Sequence, residues 1–119
     1  MYTLETTDLG NITISKEAVE TLAGLATVDC YGLAGMVSRK VSDDLTSILG
    51  LDSIRKGVEV QETPDGLNVE VFIVVTYGTK ISVVASNVMQ KIRYTMEKVA
   101  GIHVNRVNVF VKGVKVLND

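Results

Sequence analysis

The sequence predicts a two-layer α+β domain in which helices pack on one face of a mostly antiparallel sheet. Alternating apolar and polar residues predict strands, and two segments with apolar residues at helical spacing predict helices. A turn over Thr63–Gly66 joins two of the strands. The resulting element order is βα(α)ββαβ, where the bracketed helix is a short insertion.

We expect one domain over residues 1–119. The chain of 119 residues has the length of a single domain, and its 46% apolar content suits one core rather than disorder.

The longest apolar run, Val71 to Val75, is far shorter than the ~20 residues that cross a membrane. Met1–Glu5 has no basic residue ahead of an apolar stretch, so we expect no secretory signal. These features predict a cytoplasmic protein without direct membrane insertion.

The first strand and the first helix lie within the first 30 residues. Alternation over Ile12–Ile14 predicts the strand, and Ser15 stands at the N-cap of the helix, where its hydroxyl can accept a backbone hydrogen bond. The helix is expected to end near Cys30. Its apolar residues recur at helical spacing: Ala18, Val19, Leu22, Leu25 and Ala26.

The next segment predicts a packing loop and a short second helix. Gly32 and Gly35 interrupt the helical pattern and permit close backbone contact. The acidic residues of Ser42–Asp44 suit the positive end of a helix dipole, and Gly50 closes the short helix.

A hairpin follows, with alternating strands on either side of the Thr63–Gly66 turn. From Val71 to Val75 every residue is apolar, so the far half of the second strand is expected to be covered on both faces.

The longest helix is predicted from Ile81 to Ala100, and the last strand begins at Arg106. One arc of this helix, about 100° wide, carries the core-facing residues. These are Ile81, Val84, Ala85, Val88, Ile92, Met96 and Val99. In the last strand the apolar parity changes after Gly113, which predicts a bulge.

Several motifs occur together along nearly the whole chain. They are Gly10–Ser15, Gly66–Val75 with Tyr77-Gly78, the helix residues Ile81, Val84, Val88, Gln90 and Lys91, then Val107–Val109 and Lys112–Val114. Together they resemble the alkaline-shock-protein family, the small envelope stress response proteins of Gram-positive bacteria.

The resemblance implies a non-enzymatic scaffold or interaction protein in cell-envelope stress homeostasis. It also implies a homo-oligomer that is peripheral to the membrane through a membrane-anchoring protein. Some relatives are tied to control of fatty-acid synthesis, so a protein regulator of a fatty-acid synthesis enzyme is the alternative function. The family has no agreed catalytic residues to transfer.

The residues themselves also indicate no enzyme and no cofactor. The chain has neither a phosphate-binding loop nor a nucleophile elbow. Cys30 and His103 are the only residues of their types, too few for a zinc site. We expect Cys30 to act as a small buried hydrophobe rather than as a catalytic partner of His103.

A second stripe on the long helix predicts a surface for a protein partner. It lies roughly opposite the core arc and consists of Val83, Asn87, Gln90 and Tyr94, with Lys91 and Lys98 alongside. A solvated face needs neither Val83 nor Tyr94, and tyrosine is enriched at interfaces. The alternative is scattered surface apolar residues, which are common.

One sheet face carries a second candidate surface, formed by Phe72, Val74 and Phe110. If helices cover only the opposite face, these residues form an exposed patch and predict a dimer or larger assembly. The alternative is that the N-terminal segment or the short helix covers them.

A third hypothesis is binding of single-stranded nucleic acid. A glycine loop over Gly32–Gly35 between two helices, followed by two strands and a helix, is similar to the order of a KH domain. The loop carries leucine and alanine rather than basic residues, and the net charge is −2. Protein partners are therefore favoured over nucleic acid.

Overall fold

The computed structural model describes residues 2–39 and 50–116, and the side chains of residues 51–53 are outside that description. The elements are β1 (Tyr2–Thr7), β2 (Gly10–Ile14), α1 (Lys16–Val28), β3 (Leu33–Met36), a 3₁₀ helix (Leu51–Gly57), β4 (Val58–Thr63), β5 (Gly66–Thr76), α2 (Ile81–Tyr94), a π-helical turn (Thr95–Val99) and β6 (Val104–Lys115). The predicted α+β class is confirmed. The observed order has two strands that the sequence analysis did not predict, β1 and β3.

Strand β5 is the centre of a four-stranded sheet. β4 pairs antiparallel with its first half, and β3 pairs antiparallel with its end. β6 pairs with β5 in parallel, from Leu67↔Val104 to Thr76↔Lys115. Because a strand has two edges and β6 occupies one of them, β3 and β4 lie end to end along the other. The parallel pair is connected through α2, as such a pair requires a crossover.

The main core lies between the sheet and the two helices. Odd-numbered residues of β5, from Leu67 to Val75, enter it because successive side chains of a strand point to opposite faces. The helices contribute Val19, Ala23, Ala26, Val84, Val88 and Ile92. The predicted burial of the far half of β5 on both faces is confirmed, since all residues from Val71 to Val75 are buried.

Local signals in the sequence are confirmed where they are strongest. Ser15 Oγ accepts a hydrogen bond from the Ala18 amide at 3.1 Å and caps α1. The Thr63–Gly66 turn joins β4 to β5. The register between β5 and β6 shifts between Val111 and Gly113, which is the predicted bulge.

The N-terminal hairpin was missed. β1 pairs antiparallel with β2, from Tyr2↔Ile14 to Thr7↔Gly10. The turn is closed by side-chain hydrogen bonds of Thr7, whose hydroxyl donates to the Gly10 carbonyl and accepts from the Leu9 amide. Most of the hairpin is exposed, so its residues show little of the apolar alternation that reveals a half-buried strand.

The predicted packing loop is wrong, because residues 33–36 form strand β3. The Thr76 amide donates to the Gly32 carbonyl at 2.9 Å, which brings this segment to the end of β5. Gly32 lies in the turn just before β3, where it does allow a close approach, and Gly35 lies within the strand. The predicted short helix over Ser42–Gly50 lies outside the described residues apart from Gly50.

The core arc of the long helix differs from the prediction at its two ends. Val84, Val88, Ile92 and Met96 are buried, whereas Ile81 and Val99 are exposed. Ile81 is the first residue of α2, beyond the end of the packed region. Val99 lies in the π-helical turn, whose wider turns shift the helical phase away from the core.

Candidate functional site

The candidate site is the outer face of α2, which we define as Val83, Asn87, Gln90 and Tyr94. All four side chains are exposed, Val83 to 48% and Tyr94 to 60%. Val83 and Tyr94 are eleven residues apart, which corresponds to about 16 Å along the helix axis. The structure therefore brings the predicted stripe together on one exposed surface.

Contacts on its other sides fix how α2 is rotated. Val84, Val88 and Ile92 pack into the core. On the flank toward α1, Lys91 Nζ lies 3.6 Å from Asp29 Oδ2. None of the described contacts that anchor the helix requires the apolar residues of the outer face. Val83 and Tyr94 thus stay exposed although the helix itself is held firmly.

The polar residues of this surface offer hydrogen bonds but no reactive group. Gln90 Nε2 donates to Ser86 Oγ at 3.3 Å, within the helix itself. Lys91 is held at the side by its contact with Asp29, and Lys98 is exposed beyond the end of α2. Exposed tyrosine of this kind is enriched at protein interfaces.

A polar cluster at the junction of α2 and β6 was not predicted. Glu97 Oε2 lies 3.4 Å from His103 Nδ1 and 3.6 Å from Arg93 Nη1, and accepts a hydrogen bond from the Val104 amide. Arg93 Nη1 also donates to the Val104 carbonyl at 2.8 Å. The i,i+4 spacing of Arg93 and Glu97 is the signal that could have indicated part of this cluster. It fastens the end of the helix to the start of β6.

Of the three residues of the candidate sheet surface, only Phe110 is exposed. Phe72 and Val74 are 5% and 0% exposed and form a small second core with Val37, so of the two alternatives the exposed patch is wrong for these residues. Phe110 is 42% exposed, and its ring stacks on Phe72 with centroids 5.2 Å apart. The alternation of residues in a strand assigns these side chains to one face of the sheet. Segments distant in the sequence decide which of them are covered. Whether the short helix covers them is outside the described residues.

Two clefts share Arg39 and Glu59 in their linings. The larger, of about 610 Å³, is lined by Glu20, Ser38, Arg39, Arg55, Lys56, Val58 and Glu59. The smaller, of about 300 Å³, is lined by Arg39, Glu59, Val60, Gln61, Asn68, Glu70 and Asn108. Arg39 Nη1 lies 3.2 Å from each carboxylate oxygen of Glu59, so their charges offset each other. Burial raises the pKa of Glu20, although Lys16 and Arg55 oppose the shift.

Cys30 and His103 have separate surroundings. The Cys30 thiol donates to the Ala26 carbonyl at 3.5 Å, and burial raises its pKa. His103 contacts Glu97 instead. Across residues 2–39 and 50–116, no three His, Cys, Asp or Glu side chains form a group that could hold a metal ion.

Comparison with known proteins gives the family. The model of the alkaline shock protein 23 family, described as having a "cell envelope-related function", matches residues 4–116. The chain belongs to this alkaline-shock-protein family. The predicted resemblance is thereby confirmed, and the description of the family names no catalytic activity.

Relatives of this alkaline-shock-protein-family chain occur in Gram-positive bacteria. It is 43% identical over 113 residues to "Uncharacterized protein YloU" of Bacillus subtilis (strain 168), covering 94% of each chain. It is 32% identical to "Uncharacterized protein Spy1614" of Streptococcus pyogenes, covering 92% of each. It is 32% identical to "Uncharacterized protein YqhY" of Bacillus subtilis (strain 168), covering 93% of this chain and 82% of the relative. No solved structure matches the chain.

In the part of the chain that the structure describes, neither α1 nor α2 has the length and apolar character needed to cross a membrane.

Proposed function

We propose that this alkaline-shock-protein-family chain is a non-enzymatic interaction protein of cell-envelope homeostasis that binds a partner protein through the outer face of α2. The observation that carries the proposal is the exposure of Val83 and Tyr94 on a helix that is already anchored on its other sides. Covering these side chains removes apolar surface from water, which contributes roughly 25 cal/mol per Å². Tyrosine is also enriched among the residues that dominate binding energy.

Asn87 and Gln90 lie between the two apolar residues and support the same proposal. Their amides provide donors and acceptors that can fix the position of a partner along the helix. We expect this partner to be a membrane-anchoring protein that holds the chain at the cytoplasmic side of the membrane. The envelope-related description of the family favours such a partner over other proteins.

The test is recovery of partners on a tagged chain from native lysate of a Gram-positive host. The combined variant Val83→Lys/Tyr94→Ala should lose the partner by at least tenfold, because it removes one aromatic anchor and places a charge at the other end. Tyr31→Ala is the matched control, since Tyr31 is a highly exposed tyrosine outside the outer face of α2. Equal thermal stability of the wild type, the double variant and Tyr31→Ala would show that neither variant disturbs folding.

The identity of the recovered partner separates the remaining hypotheses. A membrane anchor or a cell-wall factor supports the proposal. A carboxylase of fatty-acid synthesis would favour the regulator alternative, and recovered RNA would favour nucleic-acid binding. If the double variant retains the same partner as the wild type, the outer face of α2 is not the binding surface.

A further inference from the structure

We propose that β6 pairs antiparallel with β6 of a second copy of this chain, about a two-fold axis at Asn108. The two sheets would then join into one continuous sheet. This interface uses the edge of the sheet rather than the outer face of α2, so it is independent of the proposed partner-binding surface.

The starting observation is an open strand edge. β6 pairs with β5 along one edge, and no other strand within residues 2–39 and 50–116 pairs with it. Its residues from Val104 to Lys115 include no proline and no acidic residue. A long edge strand of this kind presents unpaired amides and carbonyls that can pair with another strand.

Two bulges define the part of β6 that can pair regularly. The register with β5 shifts around Asn105 and again around Lys112. Between these points, residues 106–111 pair with β5 without interruption. Bulges and edge lysines obstruct strand pairing, so Lys112 and Lys115 protect the C-terminal part of β6. The uninterrupted segment is therefore the pairing segment.

Charge selects one register within this segment. A two-fold axis perpendicular to the sheet pairs residues on the same face. An axis at Val109 would extend the pairing into the bulge at Lys112 and bring that lysine near Arg106 of the other copy, and like charges facing each other across two strands are destabilising.

With the axis at Asn108, Arg106 of each copy faces Phe110 of the other. Val107 faces Val109, and Asn108 faces its own copy. A guanidinium on an aromatic ring is favourable, and Phe110 is exposed enough to receive it. A two-fold axis placed nearer to either end of β6 would extend the pairing across one of the two bulges.

Helix α2 supplies a second observation on the same side. Arg93 binds the Val104 carbonyl and so marks the flank of α2 that faces β6. At about 100° per residue, Met89 lies within about 40° of Arg93 around the helix. Met89 and Val111 are both exposed large hydrophobics on the helical side of the sheet. The two-fold axis keeps both helical layers on the same side, so pairing would cover these residues.

The test uses opposite charges at the axis, measured by analytical ultracentrifugation over a range of concentrations. The wild-type chain should form a dimer. Asn108→Lys and Asn108→Asp should each weaken it at least tenfold, because each charge meets its own copy. An equimolar mixture of the two variants should recover a dimer that contains one copy of each. Gln61→Lys, on the opposite edge strand β4, should leave dimerisation unchanged.

Cysteine cross-linking gives a second measurement if Asn108→Asp, which lies opposite Glu70, is poorly folded. In a Cys30→Ser background, Asn108→Cys should oxidise rapidly to a disulfide-linked dimer, whereas Gln61→Cys should not. The inference is overturned if the wild type is a monomer at every concentration, or if both Asn108 charge variants remain dimers. Partner recovery by Asn108→Lys then tests the proposed function separately, since the outer face of α2 is intact in that variant.

Discussion

A Cβ atom placed on Gly32 would lie 2.7 Å from Cγ2 of Val84. Gly32 therefore sets the distance at which the segment before β3 approaches α2. Its φ of +87° is also a conformation that residues other than glycine rarely adopt. The close approach holds α2 against the sheet and so supports the surface proposed to bind partners.

Gly32→Ala should destabilise the protein by about 3 kcal/mol, because it combines backbone strain with a steric clash in the core. Gly78→Ala is the control, since Gly78 has a φ of +98° but no atom within 4 Å of an added Cβ. It should cost only about 1 kcal/mol, from backbone strain alone. Urea unfolding measures both values, and equal losses would show that the clash with Val84 is relieved at no cost.

Ile92→Ala should destabilise the fold by about 3 kcal/mol, because Ile92 is fully buried and its truncation leaves a cavity. Val83→Ala on the same helix should change the free energy of unfolding by less than about 0.5 kcal/mol, since Val83 is exposed. Urea unfolding of the two variants compares them directly. A large loss with Val83→Ala would mean that its exposed side chain supports folding, and would weaken its proposed role in partner binding.

The thiol of Cys30 should react slowly with iodoacetamide at pH 7. Burial raises its pKa, with a smaller opposing effect of Lys91, so less thiolate is present than in an exposed cysteine. The labelling rate should still increase at pH values above the ordinary pKa of a cysteine, where the rate of an exposed cysteine has levelled off. Labelling followed by mass spectrometry in the folded chain and in urea provides the comparison. Equal rates in the two states would contradict the burial effect.

The change in the free energy of unfolding caused by Glu20→Gln should be more favourable at pH 7 than at pH 3. Burial raises the pKa of Glu20 in the folded state, so folding favours its protonated form. The stabilisation that protonated Glu20 gives to the folded state is present below the unfolded-state pKa and is lost as the pH rises through the folded-state pKa. Glutamine stays neutral and removes the dependence. The difference in urea midpoint between variant and wild type should therefore be more favourable at pH 7, and the opposite order would contradict the shift.

Local signals predicted much of the fold. Ser15 lies next to the amide that it caps, and the Thr63–Gly66 turn contains the residues that its backbone requires. The outer face of α2 was predicted for the same reason, because the helical period places Val83 and Tyr94 opposite the buried stripe. These features depend on neighbours close in sequence.

Features that depend on distant pairing were predicted less well. The sequence of Leu33–Met36 predicts a glycine loop, whereas in the structure the segment forms a strand by pairing with the end of β5. The cluster of Arg93, Glu97 and His103 forms only when the end of α2 meets the start of β6.

The sequence by itself determined the α+β class, the capped helix, the middle hairpin and the exposed stripe of α2, because each follows from residue periodicity or from a local hydrogen bond. The tertiary structure alone decided that β6 runs parallel to β5, that no other described strand pairs with its outer edge, and that Phe110 stays exposed beside the buried Phe72. Alternation assigns a side chain to a face of a strand. Burial and strand partners depend on which distant segments pack there, and no local pattern encodes that.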